Sequence, residues 1–99
     1  MIKAIAFKAK EKNGRYLCDG IDCGDWGDEN LDTSVLSDAM LLIRKDYSEP
    51  DEKDIEGYYK FMASLPLTND IQSIKDNYDP VTVILTQSEL KIIRERNGW

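Results

Sequence analysis

The chain has 99 residues, of which 41% are hydrophobic and 32% are charged, and its formal net charge is −6. This length is that of one domain and this composition excludes the intrinsically disordered class, so we expect a single α+β domain over residues 1–99. No apolar run is long enough to cross a bilayer, and the N-terminus lacks the residue order of a signal peptide. We therefore expect a cytoplasmic protein without a membrane contact.

The first predicted element is a β-hairpin. Ile2–Ala9 is short and rich in apolar residues, and Asn13-Gly14 can supply the two positive φ angles of a type I′ turn. The second strand would then be Arg15–Cys18. Lysines recur along the first strand, and we interpret them as protection of an exposed strand edge rather than as a nucleic-acid contact.

Three helices are predicted in the middle of the chain. The first is capped by Asp32 or Thr33, and the second begins at Ser48 with Pro50 in its first turn. The apolar stripe of the first helix has helical spacing and consists of Leu36, Met40, Ile43 and Tyr47. The third helix is shorter, and the residues that it presents to the core are Ile71, Ile74 and Tyr78.

The last strand and the last helix have the clearest local signals. Val81–Thr86 consists of β-branched residues and leucine, which favours a central strand or one with both faces covered. Thr86 and Glu89 match a capping box, while Leu85 and Leu90 match a hydrophobic staple. The residues predicted to be buried together at this junction are Leu85, Leu90 and Ile93. The complete prediction is about three strands and about four helices in the order β-β-α-α-α-β-α.

Charge is strongly segregated along the chain. Residues 1–17 sum to +4, whereas residues 18–57 hold thirteen acidic and three basic residues and sum to −10. We call residues 18–57 the acidic segment. It begins with CDGIDCGDWGDENLD, in which an aspartate recurs at every third position from 19 to 28. This pattern is compatible with a metal site, with a contact surface or with a plain connection.

The metal site has weak support. Asp28, Asn30 and Asp32 occupy positions one, three and five of an EF-hand loop, but Thr33 and Ala39 stand where its glycine and its bidentate glutamate belong. Zinc needs about four ligands, whereas this chain offers two cysteines and no histidine. We therefore expect neither a metal nor another cofactor.

Catalysis is not expected either. The absence of histidine removes the commonest general base, and the chain has no glycine-rich phosphate loop. Asp22 and Asp25 surround Cys23 with negative charge, which disfavours a reactive thiolate. In a reducing cytoplasm both Cys18 and Cys23 are expected to be free thiols.

Trp26 favours the contact surface. A tryptophan among glycines and acids can be an exposed anchor, although the alternative is that it folds back onto a small core. The acidic side chains around it would suit a basic surface on another protein, where opposite charge speeds encounter. The predicted partner-binding residues are Asp22, Asp25, Trp26, Asp28, Glu29, Asp51 and Glu52.

Gly27–Asp32, followed by the predicted helix and later by the strand Val81–Leu85, resembles the acidic helix entry and final strand of barstar-type ribonuclease inhibitors. The resemblance covers only these short stretches, and the N-terminal hairpin and the C-terminal helix have no counterpart in it. It implies an acidic surface that occupies a basic site on a partner.

The sequence therefore predicts a monomeric, non-catalytic acidic protein that binds a protein with a basic surface and does not bind nucleic acid directly. Inhibitors from phages or mobile elements that mimic nucleic acid have this size and charge, which is an analogy. Two other classes stay open. One is a metal-binding protein or enzyme that uses the Asp-rich loop 19–32, and the other is a structural or assembly subunit.

Overall fold

The computed structural model describes residues 1–11, 13–18, 32–64 and 71–98. Within these ranges the chain forms five strands, three α-helices and one short 3-10 helix, which confirms the α+β class. The strands are β1 (Ile2–Ala9), β2 (Tyr16–Leu17), β3 (Asp32–Thr33), β4 (Leu41–Leu42) and β5 (Tyr78–Leu85). The helices are α1 (Glu52–Ala63), α2 (Ile71–Asn77), α3 (Gln87–Asn97) and the 3-10 helix Leu36–Asp38.

β1 is the central strand of an antiparallel sheet. All of its eight residues pair with β5 on one side. On its other side β1 pairs with β2 at Lys8 and with β4 at Ile5 and Ala6, and β3 extends the sheet beyond β2. The lysines of β1 therefore do not protect an exposed strand edge, because both edges of this strand are paired.

β1 separates two apolar clusters. Successive side chains of a strand point to opposite faces of the sheet. Ile5 and Phe7 point into a cluster under α1 and α2, whereas Ile2 and Ala4 point into a cluster under α3. β1 is thus covered by helices on both faces, which is why its apolar residues occur at both odd and even positions.

The helix predicted over Leu36–Tyr47 does not form. Thr33, expected as its cap, lies in β3, and its Oγ1 accepts a hydrogen bond from the Val35 N–H at 3.1 Å, as in a short turn. The apolar run that follows is a strand, in which Leu41 packs under α3 and Leu42 packs under α1. A short apolar run is compatible either with a helix or with a strand buried on both faces, and the pairing with β1 selects the strand. The helix entry on which the resemblance to barstar-type inhibitors depended is therefore not formed in residues 32–47.

Of the three later helix starts, those of α1 and α3 have different outcomes, and the one predicted before Ile71 lies outside the described residues. α1 begins later than predicted, because its N-cap is Asp51 rather than Ser48. α3 begins as predicted, with a complete capping box between Thr86 and Glu89. The predicted trio at this junction is buried in the cluster under α3: Leu85, Leu90 and Ile93.

The predicted type I′ turn is wrong. Gly14 has a positive φ of 74°, but Asn13 is not in the positive-φ region that this turn requires at both central positions. Lys8 of β1 pairs with Tyr16 of β2, so the connection is longer than two residues. In a longer connection a glycine takes the left-handed position, so a positive φ is not required of the asparagine.

The predicted central position of the last strand is also wrong. Among the described residues β5 pairs with β1 alone, so it lies at an edge of the sheet. Ile84 is 58% exposed, which shows that one face of the strand is open there. The β-branched composition indicates a strand but does not determine its place in the sheet, and Pro80 is typical of an edge strand because it has no backbone N–H.

Cys18 differs from the sequence-based expectation as well. It follows β2, its side chain is fully buried, and it takes part in a disulfide rather than being a free thiol. Cys23, the second cysteine of the chain, lies outside the described residues. The expectation rested on an assumed reducing compartment, which is a property of the surroundings and not of the chain.

Candidate acidic interface

The predicted contact residues divide into two groups. Five of them lie outside the described residues, namely Asp22, Asp25, Trp26, Asp28 and Glu29. The other two, Asp51 and Glu52, lie where α1 begins. Within the described residues, the contacts of the acidic segment are therefore followed at the start of α1 and in the loop before it.

Asp51 caps α1. Its Oδ1 accepts a hydrogen bond from the Asp54 N–H at 3.0 Å, and the Asp54 Oδ2 accepts one from the Asp51 N–H at 3.0 Å. This reciprocal pair satisfies two N–H groups that have no partner inside the helix. Pro50 is buried immediately before the cap, and its ring restricts the backbone φ at that position. Asp51, a predicted partner contact, therefore has a structural role as the N-cap of α1.

Arg44 ties the preceding loop to this cap. Its Nε donates to the Asp54 Oδ2 at 2.7 Å, its Nη2 donates to the Asp51 Oδ2 at 3.2 Å, and its Nη1 donates to the Ser48 Oγ at 3.3 Å. A guanidinium can serve these three acceptors at once because its donors form a planar fork. Ser48 in turn donates from its Oγ to the Asp46 Oδ1 at 2.6 Å. We call these five residues the Arg44 network.

The ionisation of the network follows from these bonds. The hydrogen bond to Asp54 raises the pKa of Arg44 above its ordinary value. The Asp51 N–H, followed by the Arg44 guanidinium, lowers the pKa of Asp54. The Ser48 hydroxyl and N–H lower the pKa of Asp46. All three groups are therefore charged at neutral pH, and the network carries more negative than positive charge.

The turn before α1 contains one unusual backbone conformation. Tyr47 has a φ of 61°, in the left-handed region, and among the described residues no other non-glycine side chain is found there. Its N–H donates to the Arg44 carbonyl at 3.0 Å, and its carbonyl accepts from the Lys3 N–H at 3.1 Å. Its ring packs against the cluster under α3. These contacts hold the strained residue in place and anchor the loop to β1.

Glu52 is the acidic residue left to face solvent here. It is exposed in the first turn of α1, where negative charge is favourable beside the free N–H groups of the helix. Among the described residues, none forms a hydrogen bond or an ion pair with the Glu52 carboxylate. Glu49 is exposed as well, but its Oε1 accepts a hydrogen bond from the Thr82 Oγ1 at 2.8 Å. Glu52, rather than Asp51, is thus the predicted residue that is available to a partner.

Sequence reasoning missed Arg44. The signal was present, since residues 44–56 hold six acidic and only three basic residues, and a lone guanidinium among carboxylates is a natural hub. The Asp51-x-x-Asp54 spacing also resembles a capping box in which aspartate replaces glutamate. The position of the loop decides which of the three basic residues reaches the α1 cap, and the pairing of β4 with β1 fixes that position.

The described ranges contain no group of three or more metal-ligating side chains arranged to hold an ion. A cysteine in a disulfide is not a thiolate, so Cys18 is not a zinc ligand in this state. No helix within the described ranges has the length and apolar character needed to traverse a membrane. Comparison with protein families, with curated proteins and with solved structures finds no match to this chain.

Proposed function

We propose that this protein is a non-catalytic binding module whose acidic segment engages a basic surface on a protein partner. The observation that carries the proposal is the segregation of charge, since residues 18–57 sum to −10 while residues 1–17 sum to +4. Such a field speeds encounter with an oppositely charged surface and disfavours wrong partners. In its sharpest form, the partner surface is a nucleic-acid-binding site, and the protein is an inhibitor that replaces the nucleic acid.

The Arg44 network supports the described end of this surface. Its hydrogen bonds hold the loop and the α1 cap in one geometry, so binding would not have to order them. Preorganisation of this kind saves the entropy that a flexible acidic loop would lose on association. Glu52 projects from this rigid start and is exposed.

Capture from a lysate of the source cell tests the proposal. The bait is the whole protein, and the matched variants are Asp25→Asn/Asp28→Asn inside the acidic segment and Asp76→Asn/Glu95→Gln outside it. We expect a protein with a basic surface to be captured by the parent and by the outside variant, to be released by added salt, and to be captured less by the inside variant. Equal capture by both variants, or capture of no protein, would contradict the proposal.

Binding kinetics with the captured partner then separate the roles of the residues. Asp25→Asn/Asp28→Asn and, separately, Glu52→Gln should slow association at low salt, because rim charges act mainly on encounter. Trp26→Ala should instead speed dissociation, because buried aromatic anchors act mainly on residence time. If Trp26→Ala destabilises the isolated protein by about 3 kcal/mol or more, Trp26 belongs to the core and is not an anchor. Competition between the protein and duplex DNA for the partner tests the sharper form.

A further inference from the structure

β5 offers an open edge to another chain. In the part of the chain that the structure describes, this strand of eight residues pairs with β1 on one side and with no strand on the other. The backbone groups along an open edge are ready donors and acceptors for an added strand. This surface uses different residues from the acidic segment and goes beyond the proposed function.

The register shows which groups face outward. The N–H groups of Lys3 and Ala9 point to the β4 and β2 side of β1, where they bond to carbonyl groups. The even-numbered residues of β1 therefore bond to β5, and their partners are odd-numbered, such as Val83 opposite Ala4. It follows that the N–H and C=O groups of Thr82 and Ile84 point away from β1, toward the open edge.

The two faces of this edge differ in character. On the face of α1 and α2, the Ile84 side chain is 58% exposed beside the edge. On the opposite face lies α3, whose Arg96 bonds to Asp38 at 2.7 Å and to the Ser37 carbonyl at 2.9 Å. These two contacts place the Arg96 flank of α3 over the 3-10 helix, on the β4 side of β1.

The other flank of α3 is basic. Successive residues of an α-helix are rotated by about 100°, so Lys91 and Arg94 lie on the side of the buried stripe that is opposite to Arg96. That is the β5 side. Both cations are exposed and line one open depression on α3 together with Glu95, so the depression keeps one net positive charge. Among the described residues neither cation has an acidic partner within ion-pair distance.

We propose that the β5 edge accepts an extended strand of another protein whose residues alternate between acidic and apolar. The added backbone would bond to the outward groups of Thr82 and Ile84. Its acidic side chains would lie on the α3 face, beside Lys91 and Arg94, and its apolar side chains would lie beside Ile84. A second copy is the poorer occupant, because a two-fold axis through β5 would bring Lys91 and Arg94 of both copies together as like charges.

A peptide of four Val-Glu repeats, acetylated and amidated, is the probe, and a peptide of four Val-Lys repeats is its control. Amide hydrogen exchange at Thr82 and Ile84 is followed by NMR in the whole protein, and affinity is measured by fluorescence anisotropy. We expect fast exchange in the free protein, slower exchange at both amides with the Val-Glu peptide, and no effect of the Val-Lys peptide. We also expect the affinity to fall as salt is added.

Charge reversal supplies the second arm. Lys91→Glu/Arg94→Glu should weaken binding of the Val-Glu peptide by on the order of tenfold, whereas Lys53→Glu/Lys60→Glu, on the other face of the sheet, changes the net charge equally and should leave binding nearly unchanged. Slow exchange at both amides in the free protein, a concentration-dependent dimer, no protection by the Val-Glu peptide, or equal loss in the two double variants would each overturn the proposal.

Discussion

The ring of Tyr58 lies nearly parallel to the ring of Phe7, at an interplanar angle of 7° and a centroid distance of 5.5 Å. Phe7 of β1 is fully buried, and Tyr58 comes from the middle of α1. This contact joins the central strand to the helix that the Arg44 network caps. The placement of the candidate interface on the sheet therefore depends on it.

Phe7→Ala should reduce the free energy of unfolding by about 3–5 kcal/mol, the typical cost of an aromatic truncation in a core. Phe7→Leu should cost less because it leaves a smaller cavity. Urea denaturation measures both, and Phe61→Ala is the control, since Phe61 also contacts Tyr58 but is 51% exposed. Similar costs for Phe7→Ala and Phe61→Ala would contradict the central role of Phe7.

Leu85→Ala should cost about 2–5 kcal/mol, because Leu85 is buried in the cluster under α3. Its neighbour Ile84 is the matched control on the same strand, and Ile84→Ala should change stability by no more than about 0.5 kcal/mol. Thermal and urea unfolding of the two variants give the comparison. The assigned register of β5 is wrong if the two costs are exchanged.

Thr86→Ala should destabilise the protein by about 0.5–2 kcal/mol through loss of the α3 cap. The Thr86 Oγ1 accepts the Glu89 N–H at 3.1 Å, and the Glu89 Oε1 accepts the Thr86 N–H at 2.9 Å. Ser88→Ala, an exposed change in the same helical turn, is the control. Thr86→Ser should restore most of the loss, and a failure of this rescue would argue against the capping bond.

The stability of the protein should fall in acid partly because of Asp54. Its pKa in the folded protein lies below the ordinary 3.8. As the pH falls, the Asp54 carboxylate is therefore protonated in the unfolded chain before it is protonated in the folded protein. The stabilisation is present above pH 3.8 and is lost as the pH falls through the lowered pKa. In Asp54→Asn the unfolding free energy should depend less steeply on pH in this range than in the parent or in Asp76→Asn. Equal slopes in all three proteins would remove Asp54 from the acid response.

Local signals were reliable where they depend on nearest neighbours along the chain. β1 spans Ile2–Ala9 as predicted, and α3 begins after Thr86 because its capping box and staple lie within a few residues. The Asp51 cap could also have been read from the sequence, since Asp54 stands three residues on. Ser48 was predicted as the cap because Asp51 stands three residues after it, but the reciprocal pair that forms is Asp51 with Asp54, at the same spacing.

The candidate site was only partly predictable for a different reason. Charge segregation is a property of the sequence, so the acidic segment follows from the order of the residues alone. Arg44 determines which carboxylates are engaged in hydrogen bonds. It lies ten residues before Asp54 in the chain and reaches it only because β4 and the following loop bring it there. The distinction between the occupied Asp51 and the exposed Glu52 could therefore not come from composition or spacing.

By itself the sequence determined the α+β class, the segregation of charge and those element boundaries that short-range hydrogen bonds and staples define. Only the tertiary structure decided that Leu41–Leu42 is a strand and that β5 lies at an edge. Both outcomes depend on β1, whose two sides can be filled by segments distant in sequence. An apolar run has no preference of its own between a helix face and a strand buried on both sides, so the conformation that satisfies the backbone groups of β1 prevails.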